Sequence, residues 1–202
     1  MDSLVATLLA AAREQSPAEA LTVVLAIAYL VLAIRQNIWC WACAAGATAL
    51  SVYVFFGAML YMESALNGFY FVMAVYGWYC WYTGRGVGVE LPVTVWPGRV
   101  HIAALSGIVA LSLGSGYLLA NHTNAAYPYV DSLTTWGAVW ATFLLARKVL
   151  EHWWYWLVID LASIFIYWSR DLPLIALLFV LYVILVPFGM VSWTRSRRMQ
   201  TA

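Results

Sequence analysis

The sequence predicts an all-α integral membrane protein in which seven transmembrane helices form two parallel three-helix bundles joined by a linker helix. Three observations lead there. Hydrophobic residues make up 65% of the 202 residues and charged residues only 9%, where a soluble globular chain carries roughly 25% charged residues. Seven apolar runs are long enough to cross a bilayer. The chain also matches itself, without a gap, at an offset of 112 residues (Trp41 to Trp153).

A spanning helix takes about 20 mostly apolar residues. The candidates are 17–34, 38–56, 62–82, 100–119, 131–147, 150–168 and 172–193. Ser16-Pro17-Ala18-Glu19 marks the first start as a capping box with Pro at the first helical position. The turns at Arg147-Lys148 and at Arg170-Asp171-Leu172-Pro173 are short, so the helices they join run antiparallel. Residues 3–12 are apolar, but no basic stretch precedes them, so they are not read as a secretory signal.

Basic residues set the orientation. With the N-terminus outside, Arg35, Arg85, Arg99, Arg147, Lys148, Arg195, Arg197 and Arg198 fall inside, and only Arg13 and Arg170 fall outside. The C-terminus is then inside.

In the internal match, Arg35 pairs with Arg147, Trp41 with Trp153, Ser51 with Ser163, Tyr70 with Tyr182, Gly77 with Gly189 and Trp81 with Trp193. Agreement of Arg, Gly, Trp and Ser in one register argues against chance. The expected organisation is an extracytoplasmic segment (1–15), a three-helix repeat (16–85), a loop and linker helix (86–120), a second repeat (121–193) and a basic tail (194–202). An odd number of helices per repeat would invert the second copy, and the fourth helix restores its direction. Parallel repeats of this kind occur in transporters, with the substrate site near mid-membrane. Ala103/Gly107 and Ser112/Gly116 give the fourth helix small residues suited to close packing.

Asp160 is the charge that falls at the middle of a span, where a carboxylate is costly unless a partner or cavity receives it. Trp156, Asp160, Ser163 and Tyr167 share one helical face. That face offers an aromatic wall, an anion and two hydroxyls, a set suited to a flat cationic ligand. A protonated Asp160, or one bonded to another helix, is the structural alternative. The repeat maps this face onto one carrying Thr48 and Ser51, expected to close the other side of a cavity. Asn67 and Tyr70 lie on a stripe of the third helix, and the amide of Asn67 calls for a partner, ligand or helix. Trp39, Trp153, Trp154, Trp168 and Trp193, near helix ends, are expected in the interfacial aromatic belt.

Other classes fit less well. His101, His122 and His152 fall at helix ends or in loops, so no pair is placed to clamp a haem. Lys148, the only lysine, lies in a turn, which disfavours a retinal protein. No phosphate-binding G-x-x-x-x-G-K-[ST] loop is present. The basic residues are too few and spread for nucleic acid. Cys40 and Cys43 read as packing residues, and no cofactor or metal is expected. An enzyme is therefore not expected, and a structural membrane protein without transport is the distant alternative.

Leu60-Tyr61, Asn67 and Tyr76-Gly77-Trp78-Tyr79-Cys80-Trp81, with Asp131, Arg147-Lys148, Glu151, Trp153, Trp156 and Asp160, resemble the signatures of the PnuC family of vitamin transporters. The resemblance covers about 30–193. It implies a SWEET-like fold, a homotrimer in the bacterial inner membrane, and facilitated diffusion of nicotinamide riboside trapped inside by a cytosolic kinase. The family's helix-six Trp-x-x-x-Asn, which contacts substrate, reads Trp156 to Asp160 here. Its helix-three glutamine aligns with Asn67, and asparagines common in helices two and three align with Ala47 and Ala74. The family also includes thiamine, riboflavin and deoxynucleoside transporters. Asp160 favours a cationic vitamin among these: nicotinamide riboside first, thiamine as the alternative.

Overall fold

The computed structural model describes residues 16–57, 59, 61–84, 90–123, 127–170 and 172–201. Residues 1–15, with Arg13, and also Leu60, Arg85 and Asp171, lie outside them. Seven helices follow in order: α1 Pro17–Ile34, α2 Trp39–Gly57, α3 Tyr61–Thr83, α4 Gly98–His122, α5 Pro128–Ala146, α6 His152–Trp168 and α7 Pro173–Thr201. No strand is present among the described residues. The expected all-helical membrane architecture is what forms.

α1, α2, α4 and α7 are each long and apolar enough to cross a membrane. α6, at 17 residues, reaches about 25 Å at 1.5 Å per residue, a little short of a hydrocarbon core of roughly 30 Å. α3 and α5 are diluted by Glu63, Asn67 and tyrosines, and by Asp131, Ser132 and three threonines. These three helices are the ones with polar faces to bury.

The predicted capping box opens α1: the Ser16 hydroxyl accepts from the Glu19 N–H, and a Glu19 carboxylate oxygen accepts from the Ser16 N–H. α7 continues as helix through the region read as a tail, to Thr201. Arg195, Arg197 and Arg198 suit its C-terminal end, where the helix dipole favours cations. Pro187 lies inside α7 and removes one backbone hydrogen bond there.

The chain divides into two compact units, residues 1–92 with 191–202 and residues 93–190. In the first, α2 packs on both α1 and α3. Trp41 lies edge-on to Trp81 (5.6 Å between centroids), and Trp81 contacts Trp193 (6.1 Å). The Trp193 indole N–H donates to the Ala33 carbonyl (2.9 Å), and the Ser192 hydroxyl to the Ile34 carbonyl (2.9 Å). Ala47 and Ala74 are buried in this core.

In the second unit, α5 packs on both α4 and α6. An extended segment before α4 is fastened to the α5–α6 turn: the Thr94 N–H donates to the Lys148 carbonyl (2.9 Å), and the Leu150 N–H to the Thr94 carbonyl (2.8 Å). Trp96 then packs on Trp140 and Phe143. This clamp sets the start of α4 level with the start of α6.

The two units repeat one turn in detail. Gln36 has φ 53° and Lys148 φ 51°. The Gln36 N–H donates to the Ala33 carbonyl and the Asn37 N–H to Leu32, while the Lys148 N–H donates to Leu145 and the Val149 N–H to Leu144. Each is a helix-ending Schellman motif with a left-handed residue after the cap. The 112-residue match thus extends to backbone conformation.

One set of expectations is corrected. Trp153 and Trp193 are 1% and 0% exposed, packed against the protein rather than placed in an aromatic belt. Trp39, Trp154 and Trp168 are more than half exposed, as a belt requires.

Candidate functional site

α6 positions the acidic residue. Its apolar sequence buries Trp153, Ile159 and Ile166 against the unit. Helical spacing carries Asp160 and Ser163 inward on the same side. Asp160 is 3% exposed and Ser163 is buried, while Trp156 and Tyr167 are half-buried. Among the described residues the Asp160 carboxyl has neither a hydrogen bond nor an ion pair. Buried polar groups are nearly always partnered, so such a carboxyl awaits a proton or a ligand.

α7 supplies the rest of the surroundings. The Tyr167 ring stacks on Phe179 at 5.4 Å and 9° between planes. Phe179 stands edge-on to Tyr182 at 5.7 Å. Tyr182 is within electrostatic reach of the Asp160 carboxyl. At the far end of the same face, Arg170 pairs with Asp131 (2.7 Å) and lies 5.9 Å over the Tyr127 ring. Tyr182 therefore stands on the α7 side of the carboxyl, and Phe179 links its ring to that of Tyr167. Sequence reasoning had not singled out Phe179 or Tyr182 for the site. The signal was present in the repeat, which equates Tyr182 with Tyr70 and Asp160 with Thr48.

The first unit holds the other four candidates. Thr48 and Ser51 are half-buried on α2. The Thr48 hydroxyl donates back to the Ala44 carbonyl (2.8 Å), so its proton is already engaged and its lone pairs remain for a donor. Asn67 and Tyr70 are half-buried on α3, one turn apart. The first unit thus offers hydroxyls and an amide where the second offers a carboxylate and three aromatic rings.

A groove of about 480 Å³ on the second unit contains none of the eight candidates. Its α6 lining is Glu151, Trp154, Tyr155, Val158, Ile159 and Ala162, largely the opposite side of α6 from Asp160. The acidic face is the better candidate for a polar ligand than this groove, because it carries a buried carboxyl and a buried hydroxyl within the span.

Comparison with known proteins bears on this arrangement. The sequence profile of the nicotinamide mononucleotide transporter family matches residues 16–195. The riboflavin/roseoflavin transporter RibM of Streptomyces davaonensis is 29% identical over 186 residues, covering 87% of this chain and 84% of that protein. The nicotinamide riboside transporter PnuC of Escherichia coli is 22% identical over 170 residues, covering 72% and 71%. A crystal structure of the vitamin B3 transporter PnuC superposes with a TM-score of 0.74 at 20% identity, covering 97% of this chain and 88% of that one, and so has the same fold. With nearly all of its helical core matched by the profile, the chain belongs to the nicotinamide mononucleotide transporter family, the family of PnuC, and is a multi-pass membrane protein of transporter ancestry.

Proposed function

We propose that this protein carries a cationic aromatic vitamin across the membrane by facilitated diffusion, nicotinamide riboside first and thiamine as the alternative. The observation that carries the reading is Asp160: a carboxyl 3% exposed, without a hydrogen-bond or ion-pair partner among the described residues, within electrostatic reach of Tyr182, whose ring meets the Tyr167–Phe179 stack. In a medium of low dielectric, an unpaired carboxylate and an unpaired cation each carry a large penalty, and each relieves the other. Aromatic rings add attraction for the same cation. Trp156 and Ser163 complete the face, Trp156 as a stacking surface and Ser163 as a hydroxyl for ribose or pyrimidine. Thr48, Ser51, Asn67 and Tyr70 are the substrate contacts proposed on the first unit.

The sequence carries no paired carboxylates that would mark an ion path, which favours transport down the gradient. A cytosolic kinase that phosphorylates the vitamin would then trap it. A homotrimer in the bacterial inner membrane, with the N-terminus outside and the C-terminus inside, completes the proposal. The basic-residue distribution supports the orientation; the trimer rests on the family resemblance.

Riboflavin is a second reading, favoured by the likeness to RibM. Its ring and ribityl chain are neutral, so Asp160 would serve it as a hydrogen-bond acceptor rather than as a counter-charge. Tryptophan fluorescence of the purified protein, titrated with nicotinamide riboside, thiamine and riboflavin, separates the readings. The Asp160→Asn variant sharpens the test. Loss of about tenfold or more in affinity for a cationic vitamin, equivalent to roughly 1.4 kcal/mol, supports the charge role. Saturable binding of riboflavin alone, little changed by Asp160→Asn, would replace the cationic reading. Silence with all three, in folded protein, would remove vitamin binding at this face.

A further inference from the structure

The groove on the second unit points to a ligand of another kind. It runs between α4, α5 and α6, and its wall is almost wholly apolar, with Leu105, Ile108, Leu133, Val158 and Ala162 among its lining. At one end the wall changes character. His101 and Tyr155 meet there through a 3.0 Å contact between the imidazole Nδ1 and the phenol oxygen. Glu151 lines the same end, its carboxylate accepting a long backbone bond from Trp96 (3.4 Å).

These polar residues lie in the first turn of α4 and at the start of α6, which the Thr94–Val149 clamp holds level. Helix ends are where a spanning segment meets the headgroup region. Trp154, 57% exposed and part of the groove wall, is a residue type that favours that depth. Exposed Arg99 and Arg147 stand in the same layer, in the first turn of α4 and at the end of α5. The groove is therefore apolar along its length, with one acid at its mouth and two cations nearby.

We propose that this groove holds one acyl chain of a phospholipid whose headgroup carries a primary amine, as phosphatidylethanolamine does. Charge complementarity selects the headgroup. The ammonium takes Glu151 as its partner, and the phosphate faces the arginine layer. A choline headgroup has no N–H to donate to Glu151 and so loses that contact. An anionic headgroup without an amine sets its charge against Glu151. The site lies away from the Asp160 face and does not depend on the transport reading.

Fluorescence tests it, because Trp154 lines the groove. The intact protein and its Trp154→Phe variant are reconstituted in phosphatidylcholine vesicles containing rising fractions of phosphatidylethanolamine with brominated acyl chains, and in the converse mixture with brominated phosphatidylcholine. The difference between the two proteins isolates the Trp154 emission, which bromine quenches on contact. The expected result is half-maximal quenching at a several-fold lower fraction of brominated phosphatidylethanolamine than of brominated phosphatidylcholine. Glu151→Gln is expected to erase that preference, and Ala162→Trp, which fills the groove, to weaken quenching by both. Equal quenching by the two lipids in the unaltered protein means ordinary boundary lipid and overturns the proposal. An emission that neither lipid quenches means the groove is covered by protein, a second copy included, and overturns it equally.

Discussion

The ring of Trp153 fills the space that a side chain on Gly189 would need: a Cβ built there falls well inside van der Waals contact with the indole. Gly77 and Trp41 stand in the same relation in the first unit. α7 passes α6 as closely as it does because this position has no side chain, and α3 passes α2 likewise. Gly189→Ala is expected to destabilise the protein by about 1–3 kcal/mol, the usual cost of overpacking. Pairing it with Trp153→Phe is expected to recover part of the loss, with a coupling of at least about 0.5 kcal/mol. Gly107 is the control, with nothing within 4 Å of its Cβ position. Gly107→Ala is expected to be neutral or to stabilise α4 by up to about 1 kcal/mol. Unfolding midpoints in one detergent, for the wild type, the three single variants and the double variant, check this, and equal effects at Gly189 and Gly107 would contradict the packing argument.

Much of this was legible in the sequence, for identifiable reasons. Hydropathy located every helix, because a lipid solvent allows a spanning segment little choice but helix. The Gly77/Gly189 and Trp41/Trp153 matches mark the internal repeat in the sequence, and the contact each pair makes is tertiary. What sequence missed was tertiary. Trp153 and Trp193 lie near the ends of the predicted spans, and position alone places such residues at the interface. Only the glycine opposite Trp153 and the Ala33 carbonyl beside Trp193 reveal that both are buried. The part Phe179 and Tyr182 play beside Asp160 depends on how α7 crosses α6, which no single-helix periodicity contains. The eight candidate site residues were chosen from helical faces, and the structure places four on each unit.

The turn after α1 gives a backbone test. Gln36 adopts a left-handed conformation, which costs a residue other than glycine roughly 1–2 kcal/mol. Gln36→Gly and Gln36→Val both remove the side-chain amide, so the difference between them isolates the backbone. The glycine variant is expected to exceed the valine variant in stability by about 1 kcal/mol or more, since β-branched residues tolerate positive φ worst. Thermal unfolding followed by circular dichroism reads the difference. Equal midpoints would mean that the turn is not held left-handed.

The Arg170–Asp131 pair tests how much an ion pair at the end of the bundle contributes. The two side chains are 33% and 29% exposed, so solvent screens them substantially. A double-mutant cycle with Arg170→Ala and Asp131→Ala is expected to give a coupling of about 0.2–1 kcal/mol, falling as salt is added. A coupling several times larger and insensitive to salt would mean that this end of α5 is far better shielded than its exposure indicates. The measurement is a set of four unfolding midpoints at low and high ionic strength.

Asp160 and Tyr182 provide the sharpest test of the proposed site. The two side chains come from different helices and are within electrostatic reach of each other. A ligand that meets both would couple them in binding. Tyr182→Phe keeps the ring and removes the hydroxyl, so it is expected to weaken vitamin binding only a few-fold. Tyr182→Ala removes the wall on which Phe179 packs edge-on and is expected to cost about tenfold or more, near 1.4 kcal/mol. With Asp160→Asn already present, Tyr182→Ala should cost less, because the cation that the ring helps to hold has lost its counter-charge. Dissociation constants from tryptophan fluorescence for the wild type, both single variants and the double variant supply the cycle. Strict additivity would mean that Asp160 and Tyr182 do not hold the same part of the ligand, and the aromatic wall would then be a packing feature of α6 and α7 rather than part of the site.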